Sequence, residues 1–205
     1  MTSCVRHRCL YACDYGNTCV HRYDLASSAM SKWSVPGRPV SLSVTPSANL
    51  LVTCRFPNKL VELSADSGQC VRAIALQSDI YWPRHAVQLT TGQYVVCLRQ
   101  DGWFRSVDRV CIVDDGGGLT RSYGGQSLFG VGQLNDPCHL AVDEDSQFVF
   151  VADCCNNRVV VLSPTLELVR YISEGLFRPH RLCLHQETRR LYVGQHDRGV
   201  AVIQL

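Results

Sequence analysis

Apolar and polar residues alternate along this chain in short runs, a spacing typical of β-strands. The run LLVTCRFPNKLVELS (residues 50–64) contains an apolar strand, a short polar turn and a second, alternating strand. The same form recurs in LYACDYGNTCVHRYD (10–24), VFVADCCNNRVVVLS (149–163) and LYVGQHDRGVAVIQL (191–205), and with a longer turn from Tyr94. No stretch shows the periodicity of an amphipathic helix, so the pattern predicts an all-β chain built from repeated hairpins.

A second repeated feature precedes four of these hairpins, where a proline opens an apolar strand. Pro39, Pro83, Pro137 and Pro179 follow one another at intervals of 44, 54 and 42 residues. Proline at the start of a strand gives up no ladder hydrogen bond. An all-β repeat of about 40–45 residues is typical of β-propeller blades, each with four strands, A to D. We predict blades at residues 1–36, 37–80, 81–134, 135–176 and 177–205, the first without strand A and the last without strand D.

One unit, DPCHLAVDEDSQFVFVADCCNNRVVVLS (residues 136–163), resembles an NHL repeat. The chain as a whole is similar to the C-terminal propeller of tripartite-motif proteins and of Brat-like proteins. That resemblance implies a six-bladed propeller that binds RNA or protein, and in tripartite-motif members selects RNA or substrate for a ubiquitin ligase. Because only five units are present, we expect a single domain of about four to five blades, N-terminally truncated relative to a closed ring. No RING, B-box or coiled-coil segment is present, so ligase activity would belong to a longer form or a partner.

The composition favours a folded globular domain without a membrane-spanning helix. Apolar residues make up 46% of the 205 residues and charged residues 19%, and no stretch approaches the roughly 20 apolar residues of a membrane helix. We therefore predict no membrane partner. Twelve cysteines spread through apolar strands suggest buried thiols in a reducing compartment and a cytoplasmic location, with an extracellular, disulfide-bonded form as the alternative. The net charge is only +2, but arginine supplies all but two of the 20 basic residues, which favours a recognition surface.

Charge is predicted to be unequal between the two ends of the propeller. The D–A and B–C loops emerge at one end, here called the B–C face, and the acidic A–B and C–D loops at the other. Arginines beside aromatic rings bind single-stranded nucleic acid through phosphate pairing and base stacking, and the same cations also suit an acidic peptide. The predicted ligand-binding residues on the B–C face are Arg55, Lys59, Arg84, His85, Trp103, Phe104, Arg105, Arg158, Arg181 and Arg198.

Histidines near the channel mouth provide an enzymatic alternative. His85, His139 and His180 lie one or two residues after an anchor proline, and propeller enzymes similar to amidating lyases hold zinc on channel histidines. A lactonase-like enzyme would instead need an inward set of acids, which is not evident. Arg181 occupies a matching position, and its charge would repel a metal.

Cys154 and Cys155 occupy a turn that lacks cysteine in the other copies, so we interpret them as packing and turn residues. We therefore predict a non-catalytic module with no metal and no cofactor, whose ligand is single-stranded RNA or a protein.

Overall fold

The chain forms five antiparallel sheets in sequence order, as described for residues 1–100, 107–125 and 133–205 by a computed structural model. Blade 1 comprises β1 (Thr2–Cys4), β2 (Cys9–Asp14), β3 (Cys19–Asp24) and β4 (Met30–Ser34). Blade 2 comprises β5 (Arg38–Val44), β6 (Leu50–Arg55), β7 (Lys59–Leu63) and β8 (Cys70–Ala75). Blade 3 comprises β9 (Pro83–Gln88), β10 (Tyr94–Gln100), β11 (Val107–Val113) and β12 (Leu119–Gly124).

The last two blades follow the same order. Blade 4 comprises β13 (Pro137–Val142), β14 (Val149–Asp153), a 3₁₀ turn (Cys154–Asn156), β15 (Arg158–Leu162) and β16 (Leu168–Ile172). Blade 5 comprises β17 (Pro179–His185), β18 (Arg190–Gln195) and β19 (Gly199–Gln204). Each sheet is a meander in which neighbouring strands pair, so the predicted all-β propeller of about five blades is confirmed. One detail was wrong: blade 1 has its strand A, because the short β1 pairs with β2 without an anchor proline.

Apolar cores lie between consecutive blades rather than within them. A sheet is only one residue thick, so its apolar faces are buried by stacking one blade on the next. Leu42, Val52 and Tyr11 belong to the core between blades 1 and 2, and Val151 and Val95 belong to that between blades 3 and 4. Each fully buried apolar side chain contributes about 1.5–3 kcal/mol, so four such interfaces fix the blades relative to one another.

The residue that precedes the anchor proline has an unusual backbone in three blades. Trp82, Asp136 and Arg178 have φ values of +54°, +56° and +43°. This left-handed region is costly for residues other than glycine and persists only where the surroundings enforce it. Here the proline follows directly, and a register shift opens each of these A strands against its partner. The conformation therefore recurs as a feature of the blade and places one loop residue of each of blades 3, 4 and 5 on the B–C face.

The described part of the chain contains no helix that is long and apolar enough to span a membrane. All twelve cysteines fall within the described ranges and are free thiols, of which eight are buried.

Candidate ligand-binding face

Aromatic rings and arginines form a continuous row on the B–C face of blades 1 to 3. The row, here called the aromatic–arginine strip, consists of Tyr15, Arg38, Arg55, Phe56, Tyr81 and Trp82. Tyr15 and Phe56 lie in B–C turns, Arg55 ends β6, Arg38 begins β5, and Tyr81 and Trp82 directly precede β9. Because the B–C turn of one blade lies beside the D–A loop of the next, residues distant in sequence meet here.

Each member of the strip contacts its neighbour. The Arg38 guanidinium carbon lies 5.4 Å from the Tyr15 ring centroid and 5.8 Å from that of Phe56. Phe56 meets Trp82 edge-on, with centroids 6.4 Å apart and an interplanar angle of 76°. Arg55 lies 4.9 Å from the Trp82 centroid, and Tyr81 lies 6.0 Å from it. These cation–π and edge contacts hold the rings and the two charges in place before any ligand arrives.

The rings of the strip are open to solvent although they are apolar. Phe56 is 55% exposed, Tyr81 42% and Tyr15 41%, whereas Trp82 is half-buried beneath them. The Arg55 Nε–H donates to the Pro83 carbonyl at 3.0 Å, which fixes its guanidinium against the Trp82 ring. Large exposed aromatic side chains next to arginines are enriched at binding surfaces.

The other cations predicted for this face are more engaged with the protein itself. Arg84 pairs with the Asp136 Oδ1 at 3.3 Å, an atom that also accepts from Arg99, which was not among the predicted residues, at 3.2 Å. The Arg158 Nε pairs with the buried Asp153 carboxylate at 2.7 Å, and its guanidinium carbon lies 4.1 Å from the Tyr171 ring centroid. These contacts give Arg84 and Arg158 structural partners within the propeller.

The remaining predicted residues are distributed over several blades. Arg198 lies over the Phe177 ring at 4.4 Å, and Lys59 lies beside Gly37, close to the strip. Arg181 lines the central cleft and donates to the His180 carbonyl at 2.9 Å. Trp103, Phe104 and Arg105 lie outside the described residues. Of the described candidates, Arg55 thus belongs to the strip, Lys59 lies close to it, and the others lie elsewhere.

Sequence reasoning did not select Tyr15, Phe56, Tyr81 or Trp82. A signal was present, since Phe56 and Trp82 each lie directly before a proline and Phe56 adjoins Arg55. The repeat alignment also places Tyr15 and Arg55 in one B–C turn column. The repeat alignment does not show that the B–C turn of one blade lies next to the D–A loop of the following blade.

A central cleft of about 670 Å³ runs along the A strands of all five blades. In it the rings of His85 and His139 stack at 3.9 Å between centroids. The His85 Nε2–H donates to the Leu42 carbonyl, and its Nδ1 accepts from the Leu140 N–H, each at 3.3 Å. His139 Nδ1 accepts from the Leu182 N–H at 3.3 Å. The two histidines therefore join the A strands of blades 2 to 5.

Burial keeps these histidines neutral. It lowers the pKa of His85 to about 3 and that of His139 well below its usual value, because a charged ring would lose its water inside the propeller. Both nitrogens of His85 are used by backbone groups, so this ring has no lone pair to offer a metal. His180, the third candidate ligand, has its Nδ1 at 3.2 Å from the Cys138 thiol.

Two groups within the described ranges combine three metal-ligating atoms within 4.8 Å of one another. One consists of Asp14, Cys19 and His21, and the other of Asp136, Cys154 and Cys155. In the first group, Asp14 accepts hydrogen bonds from the backbone and side-chain nitrogens of Asn17 at 3.0 and 2.8 Å, so turn chemistry accounts for its position. The second group lies among arginines, which disfavour a cation.

Fold and surface together define a β-propeller of about five blades with an aromatic–arginine strip on one face. No known family and no curated protein matches the chain. Among solved structures, the chain is similar to the β-propeller domain of Cps50 (Swd1) from Myceliophteria thermophila, with TM-score 0.71, 13% identity and coverage of 100% of this chain and 64% of that one. A Bacteroides caccae protein of unknown function has TM-score 0.72, 18% identity and coverage of 96% and 77%.

The similar structures also include an enzyme. Virginiamycin B lyase from Staphylococcus aureus has TM-score 0.61 and 10% identity, with coverage of 95% of this chain and 66% of the lyase. At such low identities the likeness carries the propeller fold and not an activity. The NHL resemblance accordingly remains a prediction from sequence.

Proposed function

We propose that this propeller is a non-catalytic recognition module that binds single-stranded RNA along the aromatic–arginine strip. The observation that carries the proposal is the row of exposed rings held beside two oriented guanidinium groups. Bases can stack on ring faces whatever their identity, while arginines pair with the phosphates between them. A protein ligand would bind by burying the apolar rings of this surface. Single-stranded RNA suits it better, because bases and phosphates alternate along RNA as rings and arginines alternate along the strip.

The resemblance to tripartite-motif proteins supports a finer proposal about cellular role. In that role the module selects RNA for post-transcriptional control, or substrate for a ubiquitin ligase, in the cytoplasm. The catalytic part of such a ligase would lie in a longer form of the protein or in a partner.

Binding to a fluorescent oligouridylate of about 12 nucleotides, followed by anisotropy, tests the proposal. Phe56→Ala and Tyr81→Ala should each weaken binding by about 5- to 100-fold, the loss of one base stack. Log affinity falls linearly with log salt concentration, and in Arg38→Ala this fall should be less steep by about 0.7, the contribution of one phosphate contact. These side chains are exposed, so their removal leaves the cores between the blades intact.

Two surface variants serve as matched controls. Tyr23→Ala removes an exposed ring near the opposite end of blade 1, and Arg170→Ala removes an exposed cation on β16. Both should bind RNA as the unaltered protein does. If oligouridylate and mixed-sequence RNA both fail to bind at low salt, while an acidic peptide binds and is lost in Arg38→Ala, the ligand is a protein and the RNA proposal is wrong.

A further inference from the structure

Three side chains of metal-binding types meet on the hairpin of β2 and β3 in blade 1. Asp14 ends β2, whereas Cys19 and His21 lie two residues apart on β3 and therefore on the same face of that strand. The strand register places Asp14 directly opposite Cys19. One carboxylate, one thiol and one imidazole thus share a face of the hairpin, and these three residues are here called the hairpin site.

The distances within the hairpin site fit ligands around one tetrahedral zinc ion. The His21 Nε2 lies 3.6 Å from the Cys19 sulfur and 3.5 Å from the Asp14 Oδ2, and all three ligand atoms lie within 4.8 Å of one another. Zinc bonds of about 2.3 Å to sulfur and about 2.0–2.1 Å to nitrogen and oxygen separate sulfur from nitrogen by about 3.6 Å and nitrogen from oxygen by about 3.4 Å. The nitrogen–oxygen distance is also longer than the roughly 2.7–3.2 Å of a good hydrogen bond. Small side-chain movements would therefore let one ion contact all three atoms.

The Asp14 carboxylate is oriented and ionised before any metal binds. The Asn17 side chain donates to its Oδ2 at 2.8 Å, and the Asn17 backbone N–H donates to its Oδ1 at 3.0 Å. These hydrogen bonds lower the pKa of Asp14 to about 2, so the carboxylate is charged at neutral pH. A carboxylate oxygen has two lone pairs, so Oδ2 can accept from Asn17 and still bind a metal. Hydrogen bonds to a ligand from outside the coordination sphere orient it in the same way in zinc sites.

Charge and exposure at the hairpin site also suit a divalent cation. A thiolate and a carboxylate together balance the two positive charges of zinc. Cys19 is buried, whereas the Asp14 and His21 side chains are 31% and 37% exposed, so an ion can enter from solvent and keep a water as its fourth ligand. Lys32 pairs with His21 across β4, but it is exposed, and its long side chain can hold the ammonium group in water away from the ion.

A second set of the same three residue types lies nearby without this geometry. The Cys4 sulfur lies 3.3 Å from the Nδ1 of His7, whereas the Asp66 Oδ1 lies 3.2 Å from the Nε2 of the same ring. Because these contacts use opposite nitrogens of the imidazole, one ion cannot bind all three residues. His7 therefore provides a matched control for the role of His21.

We propose that Asp14, Cys19 and His21 bind one zinc ion through Oδ2, Sγ and Nε2, with water in the fourth position. The thiol gives up its proton as the ion binds, and the imidazole keeps its proton on Nδ1. A set of sulfur, nitrogen and oxygen ligands favours zinc over magnesium or calcium, which prefer oxygen alone. The ion ties β2 to β3 at the turn that carries Tyr15, at one end of the aromatic–arginine strip. Zinc here would overturn the sequence prediction of no metal.

Absorption spectra with cobalt(II) in place of zinc test which residues bind the metal. The reduced, metal-free protein with one equivalent of cobalt should show the visible bands of a tetrahedral ion and a thiolate-to-cobalt charge-transfer band, and added zinc should remove both. The charge-transfer band should be lost in Cys19→Ser, a nearly isosteric change. It should be retained in Cys155→Ser, which alters the other group of three metal-ligating atoms.

Zinc affinity, measured by competition with a chromophoric chelator, tests the geometry of the site. Asn17→Ala should weaken zinc binding by about 10- to 100-fold, because Asp14 loses the hydrogen bonds that orient it. His21→Ala removes a ligand and should weaken binding further, whereas His7→Ala should bind zinc as the unaltered protein does.

Three outcomes would each overturn the proposal. The first is a protein that retains no zinc when one equivalent is added. The second is zinc binding of equal strength in His21→Ala and the unaltered protein. The third is a cobalt charge-transfer band that is lost in Cys155→Ser and kept in Cys19→Ser.

Discussion

The stacked histidines at the centre of the propeller show how a polar residue can act as a core residue. His85 is 2% exposed, and each of its ring nitrogens contacts the backbone of a different neighbouring blade. A neutral imidazole has one donor and one acceptor, which match these two partners. The same ring would lose its acceptor and gain a buried charge on protonation, so its role depends on its remaining neutral.

Acid should therefore weaken the fold through His85. The folded pKa of about 3 lies below the unfolded value of about 6.5, so stability is complete above pH 6.5 and is lost as pH falls toward 3. Between pH 7 and pH 5, His85 alone should lower the free energy of unfolding by about 2 kcal/mol, and His139 acts with the same sign. Urea denaturation at the two pH values measures this loss.

The matched variants are His85→Asn, which keeps an acceptor for the Leu140 N–H, and His196→Asn on the surface. The first should be less stable at pH 7 but lose less stability on acidification. The second should show the pH dependence of the unaltered protein. Equal pH dependence in all three proteins would show that His85 is not the titrating group.

At the scale of elements, the turn between β14 and β15 is held by one buried carboxylate. Asp153 is fully buried, and its oxygens accept from the Asn135 N–H at 2.6 Å, the Asn156 side chain at 2.9 Å and Arg158 at 2.7 Å. Burial raises the pKa of Asp153, and these three hydrogen bonds act in the opposite direction. The carboxylate thus ties the B–C turn of blade 4 both to itself and to the loop that leads into β13.

Asp153→Ala should destabilise the protein by about 3–5 kcal/mol, because it leaves the Arg158 charge and the Asn135 N–H without their partner. Asp14 occupies the same position of blade 1, where its side chain is 31% exposed. Asp14→Ala should have a much smaller effect in the same urea titration. Comparable losses in both variants would contradict the special role of the buried turn.

The elements that the sequence predicted correctly are those whose signal is local. The anchor prolines and alternating runs mark β5, β9, β13 and β17 and the hairpins that follow them, because proline tolerance and side-chain alternation are properties of a single strand. Strand β1 was missed because three residues without an apolar run or a proline carry little local signal. The strip and the stack of His85 on His139 arise from contacts between blades, and these depend on tertiary packing that no single repeat specifies.

At the scale of the whole molecule, blade 5 presents an open apolar edge. Its outer strand, β19, has no further strand paired to it among the described residues, and Val200 and Val202 are 63% and 56% exposed. An exposed edge strand with apolar side chains is a template for pairing with another chain. The protein should therefore self-associate as its concentration rises.

Lysines on this edge should suppress self-association. Val200→Lys with Val202→Lys should reduce the weight-average mass in sedimentation or light scattering, and change the free energy of unfolding by no more than about 0.5 kcal/mol. Val5→Lys, at an isolated position that is 89% exposed, is the control and should leave association unchanged. An unaltered protein that stays monomeric at high concentration would contradict the prediction.

The residues with left-handed backbone before the anchor prolines can change their side chains, and with them the ligand preference, without changing the blade scaffold. Trp82 belongs to the strip, Asp136 pairs with Arg84 and Arg99, and Arg178 is exposed, although all three hold the same backbone conformation. New ligand preferences can thus arise by point substitution at three equivalent places while the blade interiors stay constant. Asparagine, aspartate and glycine incur the least strain there, so randomising these codons toward small polar residues is an economical route to altered recognition.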